Sequence, residues 1–234
     1  MPAKFDMMSL MKLLSTSNAK LEKGEKFGYL SYGLSLAPST LSGKNFCSHA
    51  SAGCKAACLN TAGMGVYKTV QAGRLRRARL FIENRAGFLA QLEKEIEAAV
   101  KRANKVKLTL CVRLNVLSDL PFENLGIIQK FPSVQFYDYT ANPKRAISFL
   151  NKELPANYHL TFSRKESNQA QTELLASMGM NIAAVFASMP ENYLNKPVID
   201  GDESDLRFLD SKGVIVGLKA KGKARKDTSG FVIK

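Results

Sequence analysis

Val106-Lys-Leu-Thr-Leu-Cys-Val-Arg-Leu-Asn-Val-Leu117, Val134-Gln-Phe-Tyr-Asp-Tyr-Thr140 and Tyr158-His-Leu-Thr-Phe-Ser163 are apolar runs rich in β-branched and aromatic residues. Such runs read as strands, and residues 181–187 and 213–220 repeat the pattern. Between them, residues 123–130, 144–152 and 168–178 have the composition of short helices. Strand–helix–strand alternation at this spacing implies right-handed crossovers. The expected fold is α/β, with a parallel sheet that is open or a partial (β/α) barrel.

Side chains alternate sides along a strand. In the first run Leu110, Val112, Leu114 and Val116 share one side, and Thr109, Cys111, Arg113 and Asn115 the other. Asp138 and Thr140 fall with Phe136, while His159, Thr161 and Ser163 fall together. Parallel strands covered on both faces are normally apolar on both. Polar sides on three successive strands therefore predict a cavity, lined by Asp138, Thr140, His159, Ser163 and Arg164, with Asp138, His159 and Ser163 as candidate catalytic groups.

Upstream, residues 66–102 carry helical periodicity, with Phe88, Leu92, Ile96 and Val100 four apart and Gly87 as a possible break. Residues 7–14 are helix-like, and residues 24–38 suit a loop and a short strand. Residues 42–65 are rich in Gly, Ala, Ser and Cys, too small for a core but suited to wrapping a compact object. This divides the chain into an N-terminal extension (1–40), an α/β domain opening on a cysteine loop (41–220) and an extended basic tail (221–234).

The loop reads Cys47-Ser-His49-Ala-Ser-Ala-Gly-Cys54-Lys-Ala-Ala-Cys58 and holds three of the four cysteines. No secretory signal precedes it and no transmembrane-length apolar stretch occurs, so the expected setting is the cytoplasm, where disulfides are rare. Thiolates are soft ligands for zinc or iron–sulfur clusters, making Cys47, Cys54 and Cys58 candidate metal ligands. A structural zinc would need a fourth ligand, which His49 could supply. A 4Fe-4S cluster on three cysteines would leave one iron open for chemistry. Cys111 is a distant candidate to complete either set.

The 234-residue chain has 34 Lys+Arg against 20 Asp+Glu, a net charge of +14. A surface this basic attracts polyanions, making nucleic acid or a nucleotide the expected partner. Arg74, Arg76, Arg77 and Arg79 crowd one helical segment, where Arg74/Arg77 and Arg76/Arg79 point in two directions. At least one pair should be free for phosphate, and Lys221 and Lys223 extend the basic surface. The cluster Asp200, Asp202, Asp205 and Asp210 reads as an acidic turn. No Ser–His–Asp, Walker or Rossmann pattern is present.

Cys47-Ser-x-Ala-Ser-x-Gly-Cys-x3-Cys58, the Arg-rich helix, Arg113-Leu-Asn-Val-x-Ser-Asp119 and Phe136-Tyr-Asp-Tyr-Thr140 together resemble the phage gene product eighty-eight family over roughly residues 40–165. The resemblance implies a phage origin and a shared site. A more distant similarity, in the order of cysteine loop, helix and strand, links the chain to radical S-adenosylmethionine enzymes. That similarity implies an iron–sulfur enzyme, with S-adenosylmethionine over Arg113, Asn115 and Asp119. The alternative is a non-enzymatic nucleic-acid-binding protein with a structural metal site.

Overall fold

The computed structural model describes residues 11–16 and 19–234. β1 (Leu14–Ser15) and β2 (Tyr29–Leu34) are joined through the short helix α1 (Ala19–Glu22) and a 3-10 turn. The cysteine loop follows, with α2 (Ala52–Ala56) inside it, then the long helices α3 (Lys68–Glu83) and α4 (Arg85–Lys105). The alternation continues with β3 (Thr109–Arg113), β4 (Gln135–Thr140), α5 (Pro143–Leu150), β5 (Tyr158–Ser163), α6 (Gln169–Ser177) and β6 (Ile182–Phe186). The chain ends with β7 (Asn192–Tyr193), β8 (Lys196–Asp200), β9 (Ile215–Lys219) and β10 (Val232–Ile233).

All ten strands join one sheet in the order β1-β2-β3-β4-β5-β6-β9-β8-β7, with β10 also on β6. From β2 to β6, and on to β9 and β8, every neighbouring pair is parallel. The strands thus advance in one direction, and right-handed crossovers then put the intervening helices on one face. This is the α/β fold that the alternation predicts, and the sheet does not close into a barrel. On the helix face, Phe88, Leu92 and Ile96 of α4 share a core with Val112, Phe136, Leu160 and Phe162, all fully buried. The opposite, open face carries Cys111 and Tyr137, covered by Leu206 and Phe208 from the segment between β8 and β9.

Several local expectations are corrected. The break between α3 and α4 is at Asn84, not Gly87; the Asn84 side chain accepts from the Gly87 N–H at 2.9 Å and caps the second helix. Residues 123–130 form no α-helix: a 3-10 turn at Phe122–Leu125 ends at Gly126 with φ 75°. The strand expected to run to Leu117 stops at Arg113, because the Asn115 backbone turns to donate to Asp138. The helix expected over residues 7–14 lies largely outside the described residues, and within them Leu14 opens a strand.

The C-terminal residues are not an extended tail. A 3-10 turn at Gly222–Lys226 buries Ala224, and β10 pairs in parallel with β6 at Val185 and Phe186. β5 pairs with β6 only at Ile182 and Ala183, so β10 takes the edge of β6 that β5 leaves open. Phe231 and Val232 then pack against Ala57 and Cys54 of the cysteine loop.

Candidate functional site

In a singly wound sheet, ligands collect at the carboxyl ends of the parallel strands, where the strand-to-helix loops converge. Here the cysteine loop leaves β2 and folds over that rim. Phe46 C=O accepts from Asp119 N–H beyond β3, and Cys47 Sγ lies 3.4 Å from Leu117 C=O. Beyond β5, Glu166 accepts from Ser51 Oγ and from Gly53 N–H, both at 2.7 Å, while Ser51 Oγ accepts from Cys54 N–H. Burial opposes ionisation of Glu166, but these hydrogen bonds outweigh it and hold the carboxyl below its usual range.

Gly53 is the contact point of this latch. A Cβ there would overlap Ser229 Oγ and stand 2.8 Å from Phe231 Cβ. Ser229 is itself held by Asp227, which also accepts from Val232 N–H. Gly53→Ala should therefore cost about 1–3 kcal/mol by overpacking and free the C-terminal segment. Limited proteolysis should then cut near Lys226; a variant with unchanged melting and cleavage would rule out the latch.

Cys47, Cys54 and Cys58 are all free thiols, half-buried in this loop. Burial, together with the charges of Cys58, Cys54 and Asp119, pushes Cys47 up to about 11 against a hydrogen bond from Ser39 N–H. Burial and Cys54 likewise raise Cys58, whose sulfur accepts from Asn60 N–H and is near the cations Arg74 and Lys165. Among the described residues, no three His, Cys, Asp or Glu side chains are gathered closely enough to hold a metal ion. His49 is exposed, with Nδ1 against Ser48 Oγ. It lines an open depression of about 330 Å³ with Ser51, Pro143, Ser167, Asn168 and Gln171. Cys111 lies apart on the open face, 3.1 Å from Ser31 Oγ, and burial pushes it up to about 12.

The two motifs that follow the cysteines interlock. Asp138 accepts from Asn115 N–H at 2.6 Å, from Asn115 Nδ2 at 3.0 Å and from Tyr158 Oη at 2.9 Å. Asn115 Oδ1 in turn accepts from Ser118 Oγ and Leu120 N–H, both at 2.8 Å. Arg145 gathers the rest: Glu123 at 2.6 and 2.9 Å, Tyr158 Oη at 2.8 Å, Asp119, and Thr140 Oγ1 at 3.3 Å. Burial pushes Asp138 up to about 7, although Arg113 and Arg145 pull it back.

The single polar cavity expected from the strands is not what forms. Asp138 and Thr140 point with Phe136 to the helix side, whereas register sets His159 beside Tyr137 and Thr161 beside Tyr139 on the open face. His159 and Ser163 are thus separated from Asp138 by the sheet itself. Arg113 is on the open face, paired with Asp205 at 2.8 Å and stacked over the Tyr139 ring at 4.5 Å. Asn115 and Asp119 belong to the buried network beneath the cysteine loop. The three residues expected to share one cofactor are thereby divided.

The arginine helix presents two directions, as its spacing predicts. Arg74 donates to Asn60 and Arg77 to Ser35 C=O, tying α3 to the cysteine loop and to the end of β2. Arg76, Arg79 and Lys223 are exposed, while Lys221 pairs with Asp202 at 2.8 Å. The acidic turn spends Asp205 on Arg113 and Asp210 on Arg207. No helix among the described residues is long and apolar enough to cross a membrane. Arg145, Glu123 and Glu166 were not marked by their sequence neighbourhoods. Nothing local distinguishes them from surface charges, because apart from Thr140, five residues from Arg145, the partners named here are 13 to 115 residues away.

Neither the curated proteins nor the solved structures contain a match to this chain. A family model described as Gene product 88 matches residues 11–234, spanning the cysteine loop, both interlocked motifs and the C-terminal strand. The chain belongs to that phage gene-product family.

Proposed function

We propose that this is an iron–sulfur protein whose cluster is held by Cys47, Cys54 and Cys58 at the carboxyl rim of the sheet and acts on a nucleotide or nucleic acid. The observation that carries the reading is the chemistry of the donor set. Three thiols lie in one loop after the first parallel strand, and Cys47 and Cys58 are kept protonated by burial and by neighbouring sulfur charge. A bound cation reverses that penalty, and the N–H groups of Ser39 and Asn60 already point at sulfur, as outer hydrogen bonds to cluster ligands do. Three protein ligands suit a 4Fe-4S cluster with one iron open, which supplies single-electron chemistry when bound. S-adenosylmethionine itself fits poorly on Arg113, Asn115 and Asp119, whose polar groups are turned to Asp205, Asp138 and Arg145.

Protein purified without oxygen should be brown, with broad absorbance near ~400 nm from thiolate-bound iron. It should carry iron and acid-labile sulfide, and Cys54→Ala should lose both. Colourless protein with one tightly held zinc would overturn the reading and favour a structural knot. The nucleic-acid arm rests on the +14 charge and on exposed Arg76, Arg79 and Lys223. Binding of single- or double-stranded nucleic acid should weaken steeply with salt, and R76A/R79A should flatten that slope; no binding at low salt removes this partner.

A further inference from the structure

The open face of the sheet holds a group of buried polar atoms that lack partners. Tyr139 Oη, His159 Nε2, Thr161 Oγ1, Arg207 Nη1 and Arg113 Nε are shielded from solvent and make no hydrogen bond among the described residues. They belong to one place. Register sets Tyr139 beside Thr161 and Tyr137 beside His159, so residues 139, 159 and 161 project from the same side of adjacent strands. The 3-10 turn Arg207–Leu209 packs over β5, and the Arg207 charge acts on both His159 and Tyr139. Arg113 stacks on the Tyr139 ring. Thr161 is 0% and Arg207 2% exposed.

Buried polar groups in native proteins are nearly always satisfied, so five orphans in one region call for an occupant. Their chemistry limits what it can be. Arg207 Nη1, Arg113 Nε and the Tyr139 and Thr161 hydroxyls offer N–H or O–H groups. Burial and the Arg207 charge lower His159 to about 4, so near neutral pH it is uncharged and can donate from Nε2. The orphaned acceptor is Asp210 Oδ2, and it is 3.3 Å from Arg207 Nε as an ion pair. Donors therefore outnumber acceptors. Arg113 and Arg207 are each paired with a carboxylate, Asp205 and Asp210, so net charge does not select the occupant; the surplus of N–H and O–H donors does, and it suits an oxyanion, which brings acceptors only. We propose that Tyr139, His159, Thr161 and Arg207 form a buried site for a small oxyanion, the phosphate or carboxylate group of a ligand. Arg113 keeps 14% of its side chain exposed, so the group is not sealed from solvent.

This site is on the opposite side of the sheet from the Asp138 network and does not depend on the cluster. Its test uses the full chain free of metal, at constant ionic strength in chloride, with melting followed on addition of inorganic phosphate or of acetate at about 20 mM, since a ligand bound only by the folded state raises the melting point. Wild type should shift upward by several degrees with at least one anion. A response to phosphate alone identifies a phosphate-bearing ligand, and a response to acetate alone a carboxylate. Y139F and T161V each remove only an unpartnered hydroxyl, so without anion both should melt at or above the wild-type temperature. Both should also lose the anion-dependent shift. No shift in wild type, or an equal shift in wild type and both variants as a merely basic surface would give, overturns the proposal.

Discussion

Arg145→Met is expected to lower stability by about 3–5 kcal/mol, the cost of stranding buried charge by deleting one partner. Arg145 and Glu123 are both 6% exposed and pair bidentately at 2.6 and 2.9 Å, and among the described residues Glu123 has no other cation. Asp119 also relies on this guanidinium, and its second oxygen accepts from Ala141 N–H at 2.9 Å, where β4 turns into α5. Losing Arg145 therefore leaves two carboxylates in a low-dielectric layer and loosens the loop that meets Phe46 of the cysteine segment. In a chain of this length the loss amounts to about 10 °C in melting temperature. The paired variant E123Q/R145M should recover part of it, since the glutamine removes one of the two stranded charges and leaves only that of Asp119. Thermal and urea unfolding measure both; a fall in R145M below about 1 kcal/mol would mean that water, not Arg145, satisfies Glu123.

Asp138 should impose a pH dependence of the opposite sign from that of an ordinary salt-bridged carboxylate. Burial raises its folded-state value from 3.8 to about 7. Between those values the folded protein holds a proton that the unfolded chain releases, so this contribution to stability is complete below about 4 and is lost as pH rises to about 7. The slope is about 1.4 kcal/mol per pH unit at most. His159 acts against it: held down to about 4 from 6.5, it costs stability as pH falls through that range. Asp210, raised by burial from 3.8 to about 6, acts with Asp138, so these three groups together make the wild type lose stability as pH rises from about 4 to 6. D138N, which cannot titrate, should be the flatter of the two, because Asp210 and His159 then nearly offset one another between about 4 and 6. Its constant offset from wild type does not matter, because the comparison is of slopes. Parallel wild-type and D138N profiles would show that Asp138 is ionised throughout.

The alternation of strand and helix was legible because both periodicities are local: two residues for a strand, 3.6 for a helix. Residues 158–163 and 135–140 needed only their own side chains to be read as strands, and α6 only its composition. The misreadings share a cause. Residues 123–130 have helical composition, but Glu123 is drawn to Arg145, and Gly126 stops the turn. Val116 and Leu117 have strand composition, but Asn115 has already left the ladder for Asp138. The C-terminal residues look like a solvated basic tail, yet Phe231 and Val232 find an apolar seat against the cysteine loop and a vacant edge on β6. The hairpin of β7 and β8 was missed as well. Its turn uses Leu194 and Asn195 with φ of 52° and 57°, a left-handed pair in which only Asn gives a recognisable signal.

The sequence by itself determined the fold class, the three clustered thiols and the family, because periodicity, spacing and motif are properties of neighbouring residues. Only the tertiary structure decided which polar residues stand together. It separated Asp138 from His159 by a sheet that strand alternation cannot orient without knowing which face the helices cover. It turned Arg74 and Arg77 inward as braces, left Arg76 and Arg79 outside, and joined Glu166 to the cysteine loop across 113 residues of chain. The physical reason is common to all three: a charge's role depends on the partner that meets it, and chain distance carries no information about that meeting.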